Sequence, residues 1–424
     1  MMGFLVGFVD TALAGRLSVE ATNAIGVATY VGWLIGLVQS SVGIGATALI
    51  SRATGARKRG LAHATVGQAM VLAVLVGLGI GSAVFIFAPF IAGFTGLKGI
   101  SFEYCVTYLR IIAAAAPFSA LLYVGAACLR GAGDTRTPFI VLVVVNIVNT
   151  VLSVLLVAGP VPLGGRGVSG IAIGTFAAWC VGALAILTVL VRGWGLVRLR
   201  RRWLLPHGQL IWRMVRVGAP NLMESFLAMW LANFFILRIV GQLNDPAAWG
   251  AHVVAIRLEA VSFLPGFAMG IAAATLAGQY LGLGDPQRAR QAIIQCWKIG
   301  AIVMCSLGLA FILFPEMLVR LATNQPELLA TSPTLLRVAG FVQIFFATAI
   351  ILGQGMRGAG DTRTTLWMTA LSTYGVRLPL GYFFAVIMGW GLVGLWIGMC
   401  TELAFRGCLF AARFLHGGWM KVRV

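Results

Sequence analysis

Long apolar segments constrain the fold of this chain more than any other feature of its sequence. Residues 64–93 and 138–158, for example, contain no charged side chain. About 20 predominantly apolar residues are enough for an α-helix to cross the hydrocarbon core of a bilayer. Charged residues make up only 10% of the chain, whereas they make up about a quarter of a soluble domain. The sequence therefore predicts an all-α polytopic membrane protein.

Twelve transmembrane spans can be placed, separated by turns such as "LNDP" and "GLGDP" that contain Gly, Pro, Asn and Asp. The first span has neither the basic region nor the cleavage site of a signal peptide. Because it is also short for a spanning helix, we expect that the chain starts late and that its first helix is truncated. The predicted spans are 1–16, 24–50, 64–93, 102–129, 138–158, 167–191, 211–241, 248–278, 289–315, 332–356, 365–388 and 390–414.

An internal repeat organises these spans. The octet "RGAGDTRT" occurs at 130–137 and again at 357–364, which are 227 positions apart. Under the same offset "GIGATALISRATGA" (43–56) aligns with "GIAAATLAGQYLGL" (270–283), and the register holds without a gap from about residue 24 to 137. Each half is then a six-helix unit. Because six is even, both copies start on the same side of the membrane, which defines a parallel repeat.

The repeat predicts two lobes that face each other across a central cleft and transport by alternating access. We expect an N-terminal lobe at 1–191, a basic cytoplasmic linker at 192–210 and a C-terminal lobe at 211–424. In the octet itself, the glycines permit a tight bend and Asp134 can cap the next helix. A phosphate-binding loop is the alternative, but the octet has no Gly-Lys-Thr ending and follows a membrane helix.

Basic residues in the predicted loops are concentrated on one side of the membrane. Such loops remain in the cytoplasm, so we expect a multi-pass protein of the cell inner membrane with both termini in the cytoplasm. The net charge of +19 then reflects topology and contact with anionic membrane lipids. We expect no nucleic-acid partner and a monomer.

Enzymatic chemistry has no support in the sequence. The motifs HExxH and GxSxG are missing, and the seven cysteines form no CxxC pair. We therefore expect no enzyme, no cofactor and no resident metal ion.

Carboxylic acids inside the predicted spans are candidates for function, because ionisable groups in a membrane are costly. Asp10 lies in the first span without a basic neighbour at helical spacing. Desolvation disfavours the charge of such a group, which suits a residue that binds and releases a cation; an acid facing water at a helix end is the alternative. Asn146, Asn149 and Ser153 share one helix face at spacings of 3 and 4. They are either partners of Asp10 or polar contacts between helices.

A second group of charges lies in the C-terminal lobe. Glu259 and Arg257 could pair with neighbouring groups or with Arg377, and we interpret them as a structural charge network rather than a transport site. Glu402 and Arg406 are four residues apart and should pair on one helix. From that pairing alone, we expect Glu402→Gln to have little effect.

The span 211–241 carries one further acid and several cleft candidates. Glu224 is either a first-turn acid, favoured by the helix dipole, or a transport group. The cleft of a promiscuous binder should be apolar and aromatic, although each such side chain could equally face lipid. The cleft candidates are Met223, Phe226, Met229 and Trp230.

Nearly the whole chain resembles the multidrug and toxic compound extrusion (MATE) transporters. The resemblance lies in "VDTALAGRLS" (9–18), "GAPNLMES" (218–225), "IRLEAVSFLPGFAMGIAAATLAGQYLGLGDPQRAR" (256–290) and the two octets with their flanking residues. It implies twelve helices in two lobes. It also implies export of bulky, often cationic compounds against inflow of H⁺ or Na⁺.

The resemblance also assigns residues to a cation-coupling site. Asp10 matches the family's cation-binding aspartate, Asn149 a site asparagine and Thr175 a further site position. Ser153 stands where relatives often have a second aspartate. With one carboxylate instead of two, the site favours H⁺ as the coupling ion, and Na⁺ is the alternative.

The sequence thus predicts a secondary active transporter that exports bulky cationic or amphipathic small molecules by antiport with H⁺ or Na⁺. A lipid-linked oligosaccharide flippase is the alternative function. Its cleft should be strongly basic to hold a pyrophosphate. The predicted helices of the first lobe have few arginines, however, and Arg110 is the only one in a helix interior.

The charge distribution predicts that the loops at 51–62, 130–137, 192–216 and 357–364 are cytoplasmic. Single cysteines placed there in a cysteine-free variant should resist a membrane-impermeant thiol reagent in intact cells and react after permeabilisation. Labelling of the 192–216 loop from outside would reverse the orientation.

Overall fold

A computed structural model shows a helical chain, and no residue in the described part of it is in a β-strand. The predicted span 1–16 lies mostly outside the described residues, and of Met229 and Trp230 only the backbone is described. The structure describes residues 7, 10, 11, 13–15, 17–159, 164–193, 197–243, 248–323 and 325–422.

By internal contacts the chain divides into two units, Met1–Gly218 and Ala219–Val424. The described residues before Ser18 are helical, and Ser18 caps the next helix by accepting a hydrogen bond from the backbone N–H of Ala21. Five long helices follow in the first unit: α1 (Val19–Gly55), α2 (Arg59–Phe94), α3 (Gly99–Ala132), α4 (Arg136–Ala158) and α5 (Gly167–Arg192).

Helix α6 (Gly208–Gln242) leads into the second unit. Its residues Phe226–Leu231 form a π-helical turn. Two further π-helical turns, Thr373–Arg377 and Phe383–Ile387, lie in α12. The other helices are α7 (Ala248–Gly282), α8 (Pro286–Leu313), α9 (Pro315–Ala322), α10 (Pro326–Phe341), α11 (Gln343–Gly358), α12 (Thr362–Ile387) and α13 (Gly391–His416).

The lengths and composition of these helices confirm the predicted all-α polytopic membrane architecture. In the described part of the chain, ten helices are long and apolar enough to cross a bilayer. Helices α10 and α11 meet at a bend of 58° and together form an eleventh candidate span. These eleven coincide with the predicted spans from 24–50 to 390–414.

Helix boundaries follow the internal repeat. Helices α1 and α7 end at Gly55 and Gly282, which are 227 positions apart, and the helices that follow each of them begin at the same offset. The octet turns also match, since Gly133 and Gly360 have φ angles of +103° and +95°. Glycine adopts this left-handed conformation without the steric cost of a side chain. The two octets are therefore one turn present twice.

The aspartates of the two octets have different partners. Asp134 caps α4 by accepting a hydrogen bond from the backbone N–H of Thr137 at 3.0 Å, as its position in the sequence predicts. In the second octet, Asp361 instead accepts two hydrogen bonds from the guanidinium of Arg413 in α13, at 2.8 and 3.0 Å. It also accepts one from the hydroxyl of Thr364 at 2.6 Å.

The basic segment after α5 is held against the first unit by Gln68 of α2. The side-chain amide of Gln68 donates hydrogen bonds to the carbonyl oxygens of Trp203 and Leu205 at 2.7 and 2.8 Å. Its oxygen accepts the backbone N–H of His207 at 2.7 Å. By contacts, the described residues of the expected linker at 192–210 thus belong to the first unit.

Small residues bring α2 and α3 into backbone contact. A Cβ atom on Gly77 would lie 2.6 Å from the Cα of Pro117, and one on Gly81 would lie 2.5 Å from the carbonyl oxygen of Ala113. Close approach through glycines spaced by four is a common way for membrane helices to gain packing energy. Gly79 lies between them on the same helix and has no atom within 4 Å of its Cβ position.

This geometry predicts that glycine-to-alanine substitutions at two positions of α2 have opposite effects on the stability of the protein. Gly77→Ala should destabilise the protein by about 1–3 kcal/mol, because the methyl group meets the backbone of α3. Gly79→Ala should be neutral or stabilise by up to about 1 kcal/mol, because alanine favours a helix over glycine. The midpoint of thermal unfolding in detergent measures both, and equal shifts for the two variants would contradict the proposed contact.

Candidate functional site

The carboxylate of Asp10 joins the N-terminal helical segment to three helices. Its Oδ2 accepts a hydrogen bond from the Tyr108 hydroxyl of α3 at 2.7 Å. The Thr175 hydroxyl of α5 lies 2.9 Å from Oδ2 and 3.2 Å from Oδ1, and Asn149 Nδ2 of α4 lies 3.5 Å from Oδ1. Asp10 is only 3% exposed. A single buried acid is therefore the shared acceptor of three helices.

The donors around Asp10 are ordered in a chain. The amide of Asn149 also donates to the Thr175 hydroxyl at 2.8 Å, which leaves the proton of Thr175 to point at the carboxylate. Within the described part of the chain, no arginine, lysine or histidine forms an ion pair with Asp10. An ionised carboxylate accepts hydrogen bonds through both oxygens, whereas a protonated one must also donate. Protonation of Asp10 would therefore require at least one neighbour to reorient.

Two of the predicted partners are not hydrogen-bonded to Asp10. The Asn146 side chain donates to the carbonyl oxygen of Leu142 in its own helix at 2.6 Å. Ser153 is fully buried, and its Oγ has no hydrogen-bond partner among the described residues; the same holds for Oδ1 of Asn149. Asn149 and Thr175 are thus brought to the acid, and Asn146 and Ser153 are not bonded to it.

The sequence analysis misses Tyr108, although the internal repeat carries a signal for it. Under the 227 offset Tyr108 aligns with Leu335, so the hydroxyl exists in only one copy. Asp10 shows the same pattern, because its counterpart after helix alignment is Ile236. Both apolar counterparts are buried in the second unit. Polar residues restricted to one copy are therefore a usable signal for this site.

Glu224 is bound on all sides in the second unit. The guanidinium of Arg357 pairs with both of its carboxylate oxygens, and the Nε–Oε2 distance is 3.1 Å. The hydroxyl of Thr369 donates to the same carboxylate at 2.6 Å. The hydroxyl of Thr365 lies 3.2 Å from it and 3.0 Å from the carbonyl oxygen of Thr362, so its one proton is shared between these acceptors. Of the two alternatives for Glu224, the first-turn acid is wrong, because α6 begins at Gly208, several turns earlier. Arg357 is the first residue of the second octet. The sequence analysis does not identify it as a partner of Glu224.

Glu402 is shared by two arginines. Arg406 approaches it along α13 with an Nε–Oε1 distance of 2.8 Å, which confirms the predicted pair. Arg377 of α12 adds an Nη2–Oε2 distance of 2.6 Å. Glu402 is fully buried. The short contacts of Arg377 are thus made with Glu402, although Arg377 also acts electrostatically on Glu259. Arg257 is exposed.

A cavity of about 310 Å³ lies within the second unit. Its walls combine the charged side chains of Glu224, Glu259 and Arg377 with several phenylalanines. Met223 and Phe226, both cleft candidates, are 55% and 39% exposed and do not belong to the described lining. The side chains of the other two candidates, Met229 and Trp230, lie outside the described residues.

The described part of the chain contains no cluster of side chains typical of a metal site. There, no group of three or more His, Cys, Asp and Glu side chains is placed to hold a metal ion. The polar groups at Asp10 are hydroxyl and amide groups that contact a single carboxylate.

Comparison with known proteins agrees with the helical architecture and with the motifs. The family model described as MatE matches residues 1–155 and 221–383. A probable multidrug resistance protein NorM of Thermotoga maritima is 31% identical over 425 residues, covering 99% of this chain and 90% of that protein. The multidrug resistance protein PmpM of Pseudomonas aeruginosa is 24% identical and covers 99% of this chain and 88% of its own length.

Solved structures share the fold. An outward-facing multidrug resistance MATE family transporter of the MOP superfamily superposes with a TM-score of 0.92 at 22% identity, covering 100% of this chain and 93% of that one. A MATE structure in the bent conformation gives a TM-score of 0.91, also at 22% identity, and covers 98% of this chain and 92% of that chain. The fold is thus that of a polytopic membrane transporter. The chain belongs to the MatE family, the multidrug and toxic compound extrusion transporters.

The shared position of Glu402 changes the expectation for its substitution. Glu402→Gln would leave two largely buried arginines without their common acid, so we expect destabilisation by about 3–5 kcal/mol rather than a small effect. The matched control is Glu316→Gln. Glu316 lies at an exposed site, where its Oε1 is 3.8 Å from Nη2 of Arg337, so this substitution should change stability by less than about 1 kcal/mol. Thermal unfolding in detergent compares the two variants, and an equally small shift for both would refute a structural role of the ion pairs that Glu402 forms with Arg377 and Arg406.

Proposed function

We propose that the protein is a secondary active transporter that exports bulky cationic or amphipathic small molecules by antiport with H⁺. Support for a multidrug substrate range comes from relatives named as multidrug resistance proteins. We place the protein in the cell inner membrane, with both termini in the cytoplasm, as a monomer that contacts membrane lipids. Its mechanism would be alternating access between two copies of one six-helix unit.

The observation that carries the proposal is the isolated carboxylate of Asp10. It is buried, has no basic partner among the described residues and accepts hydrogen bonds from α3 and α5 at 2.7–2.9 Å. Because protonation turns an acceptor into a donor, it would weaken at least one link between the N-terminal segment and those helices. Proton uptake and release would thereby change which helices the N-terminal segment holds. A ligand shifts such an equilibrium only by its differential affinity for the two states.

Proton coupling fits the polar groups better than Na⁺ coupling does. Sodium ions prefer several oxygen ligands with negative charge, and the site offers one carboxylate that three donors already contact. The oxygens of Asn149 and Ser153, which have no hydrogen-bond partner among the described residues, are the groups that could complete a Na⁺ site. Na⁺ is therefore the alternative ion, and imposed gradients distinguish the two.

We expect Asp10→Asn, a permanently neutral side chain of the same size, to fold and insert but to lose gradient-driven transport. The assay is uptake of ethidium into proteoliposomes under a pH gradient alone and then under a Na⁺ gradient alone. The wild type should respond to the pH gradient. The matched control is Glu103→Gln, an exposed acid of the same unit, which should transport like the wild type. If Asp10→Asn transports ethidium under a pH gradient as well as the wild type does, the proposal is wrong. If the wild type responds to the Na⁺ gradient alone, Na⁺ and not H⁺ is the coupling ion.

A further inference from the structure

The turn that joins α1 to α2 differs in its chemistry from its copy in the second unit. Under the 227 offset, Arg-Lys-Arg at 57–59 aligns with Gly-Asp-Pro at 284–286. In the second copy each residue suits the local structure. Gly284 has a φ of +80°, Asp285 caps α8 by accepting a backbone N–H at 2.9 Å, and Pro286 is the first residue of that helix. The second copy therefore shows which residues favour this turn.

The first copy forms the same turn without these residues. Arg57 has a φ of +55° and, in the described part of the chain, is the one residue other than glycine with a positive φ. A side chain in this conformation is sterically strained. Lys58 stands at the N-cap of α2 without a side-chain capping hydrogen bond, and a cation there opposes the helix dipole. Folding alone thus does not account for the three basic residues.

The basic segment at 198–202 is held in place from two sides. The backbone N–H of Leu199 donates to a carbonyl oxygen near the end of α5 at 2.8 Å. On the other side, Gln68 of α2 binds the backbone that follows the segment. A Cβ atom on Gly67 would lie 2.5 Å from the carbonyl oxygen of Trp203, so the backbone approaches α2 closely there. The segment therefore has a defined position on the first unit.

The cations of the turn and of the segment converge around His63, which follows Arg59 by one helical turn in α2. Three arginines of the segment and one of the turn act electrostatically on this side chain. Neither 51–68 nor 192–216 contains an acid, and no carboxylate among the described residues forms an ion pair with these arginines. The result is an exposed positive surface without compensating charge. This basic surface consists of Arg57, Lys58, Arg59, Arg198, Arg200, Arg201 and Arg202.

Exposed apolar side chains follow the basic surface along the chain. Leu205 is 79% exposed, and Trp212, in the first turns of α6, is 65% exposed. The guanidinium of Arg202 lies over the ring of Trp203, 5.1 Å from its centroid. Tryptophan and apolar side chains next to cations are typical of segments at the membrane interface. A soluble polyanion would neutralise the charges but leave the apolar groups in water, whereas a lipid covers both.

We propose that the basic surface binds the phosphate headgroups of anionic phospholipids. Guanidinium groups hold phosphate oxygens through paired N–H donors, and clusters of such residues beside a membrane helix attract anionic lipids. The inference deepens the membrane-lipid contact of the proposed function, because it assigns residues and a headgroup chemistry to that contact. It rests on the proposed orientation only for the leaflet, which is then the cytoplasmic one. Binding requires neither an ion gradient nor a transported substrate, so it can be measured independently of export.

The probe is phosphatidylglycerol with a fluorescent acyl chain, and the readout is its equilibrium binding to the purified full-length protein in detergent. Arg57→Gly should weaken this binding by about fivefold, the contribution of one basic residue near anionic headgroups. It should not lower the thermal unfolding midpoint, because glycine relieves the strain at this φ. The matched control is Arg288→Gln, which removes an exposed cation beside the equivalent turn of the second copy and should bind the lipid within about twofold of the wild type. A lower midpoint with unchanged lipid binding in Arg57→Gly would assign Arg57 a structural role and contradict the proposal.

A second variant gives the first copy the turn sequence of the second. Arg57→Gly, Lys58→Asp and Arg59→Pro together should keep the turn, since the same residues form it at 284–286. Phosphatidylglycerol binding should weaken by about a hundredfold or more, because three cations are lost. Phosphatidylcholine with the same label should bind this variant as it binds the wild type, because its headgroup has no net charge.

Wild-type affinity for phosphatidylglycerol in the combined variant would overturn the proposal, as would an equal loss of both lipids. Displacement of phosphatidylglycerol by an equal concentration of inorganic phosphate would also contradict it, because the ligand would then be a soluble anion. Asp10→Asn should bind phosphatidylglycerol normally. A failure of the lipid site therefore leaves coupling at Asp10 standing, and pH-driven transport by Asp10→Asn leaves the lipid site standing.

Discussion

A charge within the bilayer is stable only when protein groups offset its lost hydration, and this constraint organises the polar interior of the molecule. Two solutions coexist. Glu224 and Glu402 are neutralised by arginines from other positions in the chain. Asp10 is solvated by hydroxyl and amide donors without an opposite charge in contact. The first solution fixes helices in place, whereas the second leaves an acid whose protonation state can change without leaving an arginine unpaired.

The two copies of the repeat stabilise their buried acids in different ways. The backbone pattern is retained, since helices end and begin at the same offset in both units. The side chains are not, because the Asp10 and Tyr108 pair of the first unit aligns with Ile236 and Leu335 in the second. The second unit has buried acids paired with arginines at other positions, among them Glu224 and Glu402. Duplicated architecture therefore supports different chemistry in each copy.

The sequence predicts the spans, the repeat and part of the hydrogen-bonded cluster around Asp10, because each depends on local or linear information. Apolar length defines a membrane helix, and the 227 offset can be read directly. Asn149 and Thr175 are found through family resemblance, and their contact with Asp10 agrees with it. The partner of Glu224, by contrast, is Arg357, 133 positions away in the chain. No helical periodicity links such residues, so only the packing of α6 against the start of the second octet reveals them.

The two octets have the same sequence, but their aspartates are under different selective constraints. Among the described residues, the one hydrogen bond that the Asp134 side chain accepts caps its own helix, a role that serine, threonine or asparagine can also fill. Asp361 pairs with Arg413 more than fifty positions away and therefore needs its negative charge. Random drift should consequently erase the first copy of the motif before the second. Lineages with one degenerate octet would then retain the C-terminal version, and a motif search tuned to both copies would overlook them.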